Sequence, residues 1–70
     1  MVLNIKILRL QRNQTQAETS HALLISLRGY RRIENGEGQP RLKTAIALEQ
    51  IFGKSISYLL EPYNKPASSA

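Results

Sequence analysis

Hydrophobic positions in this chain recur at helical spacing, and polar or glycine-containing breaks divide them into five stretches. The first runs from Asn4 to about Arg12 without Gly or Pro and is built largely from strong helix formers. Ile5 and Leu8 share one side, while Leu3, Ile7 and Leu10 form a second stripe, so the helix is apolar over more of its circumference than a surface helix requires. That second stripe needs a cover, either the C-terminal segment of the same chain or another subunit. Asn4 is available as the N-cap.

Asn13 and Gln14 make a polar break, and the second helix is expected from Gln16 to about Leu23. Its start carries Thr15 and Glu18 at capping-box spacing, so a hydroxyl and a carboxylate can each satisfy a free amide. Thr19, Ser20 and Leu23 fall on its inward face. Leu24 and Ile25 occupy the following turn, where a left-handed residue is expected at a cost of roughly 1–2 kcal/mol for a non-glycine. Leu24 is thus either strained or the sign of a differently built turn. Ser26 caps the third helix, Leu27 to Glu34, which turns Ile25, Tyr30 and Ile33 to the core and leaves Leu27, Arg28, Arg31 and Arg32 on exposed faces. Gly29 sits inside it at a cost of about 1 kcal/mol relative to alanine, as if something approached the backbone there. Asn35 and Gly36 close this helix.

Pro40 ends the next loop, and a fourth helix follows from about Leu42 to Phe52, with Leu42, Ala45, Ile46, Leu48 and Phe52 as its buried residues and Gly53 as its stop. Glu49, on a helix that buries its apolar side, is expected to be partly enclosed and to need a donor. Ser55 caps a short fifth helix from Ile56 to about Glu61, and Pro62 ends it. The expectation is one all-α five-helix domain over residues 1–61. A tail over residues 62–70 has too little to bury and is expected to be disordered.

Composition narrows the chemistry. The chain has 70 residues and no cysteine, so neither a disulfide framework nor a thiolate metal site is available. That absence of the staples of a small secreted fold points to a cytoplasmic domain, and the apolar runs, far shorter than the roughly 20 residues that span a bilayer, leave no membrane anchor visible. With one histidine, no aspartate and only Glu18, Glu34, Glu37, Glu49 and Glu61 as acids, no catalytic triad, metal cluster or phosphate-cradling glycine loop is visible. An enzyme is not expected, nor a metal or cofactor. His21 lies on the outward side of the second helix as an ordinary surface residue. The net charge of +5 favours a polyanionic partner, and most of the excess lies before residue 33, where Lys6, Arg9, Arg12, Arg28, Arg31 and Arg32 face Glu18 alone.

Five landmarks now fall into one pattern: Ile5-Lys6-x-Leu8-Arg9, Thr15-Gln16-x-Glu18, Arg32-Ile33-Glu34-Asn35-Gly36, Pro40-x-Leu42-x-Thr44 and Gly53-x-Ser55-Ile56. Their residues and spacing resemble the Cro/repressor helix-turn-helix family of lambda repressor-like five-helix domains. The resemblance departs at Leu24, where the turn glycine is usual, at Thr19, where a larger aliphatic is usual, and at Glu37 and Gly38, where the loop is often basic.

The resemblance implies a regulator of transcription that lays its third helix in the major groove of double-stranded DNA, the groove that distinguishes all four base pairs. Leu27 and Arg28 match base-contacting positions, and Gly29 and Arg31 are the next candidates along the helix. Gln16, at the start of the second helix, is implied to touch a phosphate. Arg32, Asn35, Arg41 and Lys43 are the other phosphate candidates. Arg9 and Glu34 match a partly buried structural ion pair. A homodimer is implied, with Tyr58, Leu59, Leu60 and Tyr63 as its leading interface and the Leu3, Ile7 and Leu10 stripe as runner-up. A repressor binding a palindromic operator is the leading expectation. The rival readings are an antitoxin or mobile-element regulator acting with a toxin or other regulatory protein, and a protein-interaction module that has lost DNA binding.

Overall fold

The computed structural model describes residues 1–64. It contains five helices: α1 (Asn4–Gln11), α2 (Gln16–Ala22), α3 (Leu27–Glu34), α4 (Leu42–Phe52) and α5 (Ile56–Leu59). Their order and kind match the five-helix expectation. α2 and α3 pack on each other as a helix-turn-helix, and α1, α4 and α5 close the core around them. Ile5, Leu23, Tyr30, Ile33, Leu48, Phe52 and Leu59 form that core, one or two from each helix or its cap.

One C-terminal device ends each of the first three helices. After α1, Asn13 takes a φ of +57° and the amides of Asn13 and Gln14 donate to the carbonyls of Leu10 and Arg9. After α3, Gly36 takes +75° and the amides of Gly36 and Glu37 donate to Ile33 and Arg32. After α2 the left-handed position belongs to Leu24, at +60°, with the amides of Leu24 and Ile25 donating to His21 and Ser20. All three are Schellman motifs, which satisfy the orphan carbonyls of a helix end. The turn is therefore built in the usual way around an unusual residue, and of the two alternatives at Leu24 the strained one holds.

The Leu24 side chain is 89% exposed, so it recovers little by packing. Leu24→Gly is expected to stabilise the domain by about 0.5–1 kcal/mol, the left-handed cost relieved less the extra freedom glycine gives the unfolded chain. Thermal denaturation checks this through a rise of a few degrees; an unchanged or lower midpoint would show that the leucine side chain holds the turn.

At the N-terminus the structure corrects the expected cap. Asn4 is the first residue of α1 and is buried; Leu3 precedes it in extended conformation and no side chain caps the helix. The C-terminal segment does the capping. The Asn4 amide donates to the Glu61 carbonyl at 2.9 Å, and its side-chain Nδ2 donates to the Tyr58 carbonyl at 2.8 Å. Leu3 pairs with Pro62, and the Tyr63 amide donates to the Val2 carbonyl. The two chain ends thus run together, and Pro62 and Tyr63, which begin the expected tail, are tied down. Residues 65–70 lie outside the described residues.

This clasp splits the second stripe of α1. Leu3 is buried against the C-terminal segment, Ile7 is half-buried and Leu10 is exposed. On α4, Leu48 and Phe52 are buried as expected, but Leu42 is 77% and Ile46 47% exposed. The helix is apolar around more than one face, and spacing alone did not single out which face meets the core. Glu49 is likewise exposed, and its donor is the backbone amide of Ile56, 2.8 Å from Oε2. Together with the Ser55 hydroxyl, which accepts from the Tyr58 amide, it caps α5.

Candidate nucleic-acid interface

α3 is positioned from both ends and from beneath. The Ser26 hydroxyl accepts from the Gly29 amide at 3.0 Å and starts the helix. A β-carbon on Gly29 would stand 3.1 Å from that hydroxyl, so the close neighbour at this glycine is the cap itself. Tyr30, Ile33 and Glu34 are buried on the opposite face. What remains outward is the basic face: Arg28, Arg31 and Arg32 are exposed, and Leu27 and Gly29 are partly so. All four expected base readers therefore lie on one accessible helix.

Beneath α3 the Glu34 carboxylate collects four donors. Arg9 reaches it through Nε at 2.8 Å and Nη2 at 3.1 Å, the Tyr30 hydroxyl donates at 2.6 Å, and Gln16 Nε2 donates at 2.7 Å. Arg9 also donates from Nη1 to the Gln14 carbonyl at 2.7 Å, so a single guanidinium locks the end of α1, the α1–α2 turn and α3. The Arg9 and Glu34 side chains are 8% and 1% exposed. This is the ion pair that the resemblance implied, and its geometry is bidentate.

Burial pushes the Glu34 carboxyl up, but the hydrogen bonds from Arg9, Tyr30 and Gln16 and the Arg9 charge outweigh it, leaving the carboxyl below its ordinary value of 4.5. The hydrogen bond to Glu34 raises Arg9 against an opposing desolvation. Desolvation first, then the hydrogen bond to and charge of Glu34, push the Tyr30 phenol well above its ordinary value of 10.0. The parts played by Tyr30 and Gln16 were missed in the sequence. The Tyr30–Glu34 pair stands at i, i+4 on one helix and could have been found; the Gln16 contact joins residues 18 apart and needs the fold.

The expected phosphate contacts are spread more widely. Arg32 and Arg41 line one shallow groove with Gly29, Pro40 and Thr44, where α3 meets the start of α4. Lys43 lies beside Leu24 and Ile46 on another groove. Asn35 lines a third, formed with Leu3, Leu60 and Pro62 at the joined chain ends. Gln16 has one amide hydrogen committed to Glu34, and its Oε1 accepts from Arg31 Nε at 3.2 Å. The capping box is fully formed: Glu18 donates its amide to Thr15 Oγ1 and accepts the Thr15 amide on Oε1.

Of the expected interface residues, Tyr58 and Tyr63 are exposed and Leu60 is half-buried. Leu59 is corrected: it is fully buried in the core and offers nothing to a partner. One step beyond Tyr58 around α5, the Leu59 side chain turns to the core.

A capped pair of short helices, a left-handed turn and a second helix with one buried and one arginine-bearing face define a helix-turn-helix DNA-binding domain. A helix-turn-helix family model matches residues 5–59. The chain belongs to this family, in its Cro/repressor, lambda repressor-like form, and is a DNA-binding transcriptional regulator. Neither a curated protein nor a solved structure matches it. No helix among the described residues is long and apolar enough to cross a membrane.

Proposed function

We propose that the protein is a transcriptional repressor that binds a palindromic operator as a homodimer, each copy placing α3 in the major groove of one half-site. The observation that carries this reading is the division of α3 itself. Tyr30, Ile33 and Glu34 are buried, while Arg28, Arg31 and Arg32 are left exposed on a helix with both ends capped. Three outward arginines on eight residues are costly in self-repulsion unless a polyanion faces them.

Arg28 has no side-chain partner among the described residues and is free to make two hydrogen bonds to guanine; Leu27 beside it can pack on a thymine methyl. Arg32 and Arg41, together on one groove, suit the phosphates flanking the site, with Lys43 and Asn35 further out. The dimer is supported by the apolar side chains Met1, Val2, Tyr58 and Tyr63, which are exposed on the segments that meet at the joined chain ends. Two half-sites about 34 Å apart then match a two-fold arrangement.

Sedimentation of the full chain with a duplex recovered by selection from a random pool tests the arrangement. Two chains per palindromic duplex are expected. One chain on a single half-site would overturn the homodimer, and failure to sediment with any duplex would leave an interaction module on the same fold.

A further inference from the structure

We propose that Gln16 is a positioning residue for sequence readout: it holds Arg31 by its Nε and so presents the guanidinium end-on to a guanine. This rests on the reading of Arg31 as a base contact. Gln16 stands at the start of α2, on the helix that crosses α3, and its amide is used at both ends. Nε2 donates to Glu34 Oε1 at 2.7 Å and Oε1 accepts from Arg31 Nε at 3.2 Å.

The chemistry permits only this orientation. Ionised Glu34 can only accept and Arg31 can only donate, so an amide between them cannot be flipped without losing both hydrogen bonds. Glu34 in turn is held by Arg9 Nε and Nη2 and by the Tyr30 hydroxyl. The chain of contacts therefore starts at a buried, saturated carboxylate and ends at an exposed arginine. With Nε occupied, the two Nη groups remain, and these are the pair that matches guanine O6 and N7. Arg28 and Arg32 have no such brace among the described residues. Gln16 thereby leaves the set of plain phosphate contacts and becomes the link between the structural ion pair and the reading face.

A mutant cycle on the full chain tests this, with base preference read by selection from a random duplex pool and binding to the recovered duplex read by fluorescence anisotropy. Arg31→Ala should abolish a guanine preference at one position of each half-site. Gln16→Met, which keeps the length but not the amide, should weaken the preference at that same position by about fivefold or more and add nothing further in the Arg31→Ala background.

If Gln16→Met instead weakens binding equally on all sequences, and independently of Arg31→Ala, Gln16 is a phosphate contact and the proposal fails. If the parent selects a motif that Arg31→Ala leaves intact, the base-contact reading of Arg31 fails first and the proposal with it. A second measurement needs no variant to fold. In NMR spectra of the free protein the Arg31 Nε–H should exchange with solvent more slowly than that of Arg28; equal exchange would overturn the brace.

Discussion

Arg9→Ala should lower the stability of the domain by about 3–5 kcal/mol at neutral pH, the largest effect expected of any single exposed-to-solvent or buried polar position. Removing the guanidinium takes two donors from Glu34 and leaves a carboxylate that is 1% exposed without its countercharge. It also frees the Gln14 carbonyl, so the α1–α2 turn loses its tie. At roughly 4–8 °C per kcal/mol for a domain of this size, the midpoint should fall by on the order of 20 °C.

The effect should depend on pH in a defined direction. The parent holds Glu34 below its ordinary 4.5, so the stability this group contributes is complete above that value and is lost as pH falls through the folded-state pKa. In the variant, burial is opposed only by Tyr30 and Gln16, and protonation relieves the stranded charge. The gap between parent and variant should therefore narrow as pH drops from 7 through 4.5. Chemical denaturation at several pH values checks both claims; a gap that is small at pH 7, or constant down to pH 4, would contradict the account of the pair.

Leu59→Ala should cost about 2–5 kcal/mol, because the side chain is fully buried between α5 and the rest of the core and its removal leaves a cavity. Its neighbours sharpen the test. Tyr58 and Tyr63 are 41% and 39% exposed, so in the proposed homodimer their substitution should act on association rather than on the fold. Over two protein concentrations tenfold apart that span dimer dissociation, the loss at Leu59 should persist, whereas Tyr58→Ala and Tyr63→Ala should alter the concentration dependence of the midpoint. A Leu59→Ala loss that vanishes on dilution would put this residue back in the interface.

The helices were legible in the sequence because their ends carry local chemistry. Thr15 with Glu18, Ser26, Ser55, Gly36 and Gly53 mark starts and stops through contacts a few residues long, and the bounds of α3 and α4 agree with the sequence reading. What spacing could not supply was which side of an apolar helix meets a partner. Spacing turns Leu42 and Ile46 inward, yet they lie outward; family resemblance puts Leu59 at an interface, yet it lies within. The cap of α1 escaped for the same reason, since its acceptor, the Glu61 carbonyl, stands more than fifty residues away.

At the candidate interface, the exposed arginines followed from the inward turn of Ile25, Tyr30 and Ile33. The Arg9–Glu34 pair came through family resemblance. The hold of Gln16 on Arg31 came only with the packing of α2 on α3.

The central claim is that α3 reads base sequence. Its most direct test is selection of bound duplexes from a random pool by the parent chain and by Arg28→Ala, each at two salt concentrations. The parent should recover a palindromic motif and bind far more weakly at the higher salt, as phosphate contacts require. Arg28→Ala should lose about 1–3 kcal/mol of discrimination at one guanine of each half-site while remaining folded. No enriched motif, or a motif that Arg28→Ala leaves unchanged, would contradict the account.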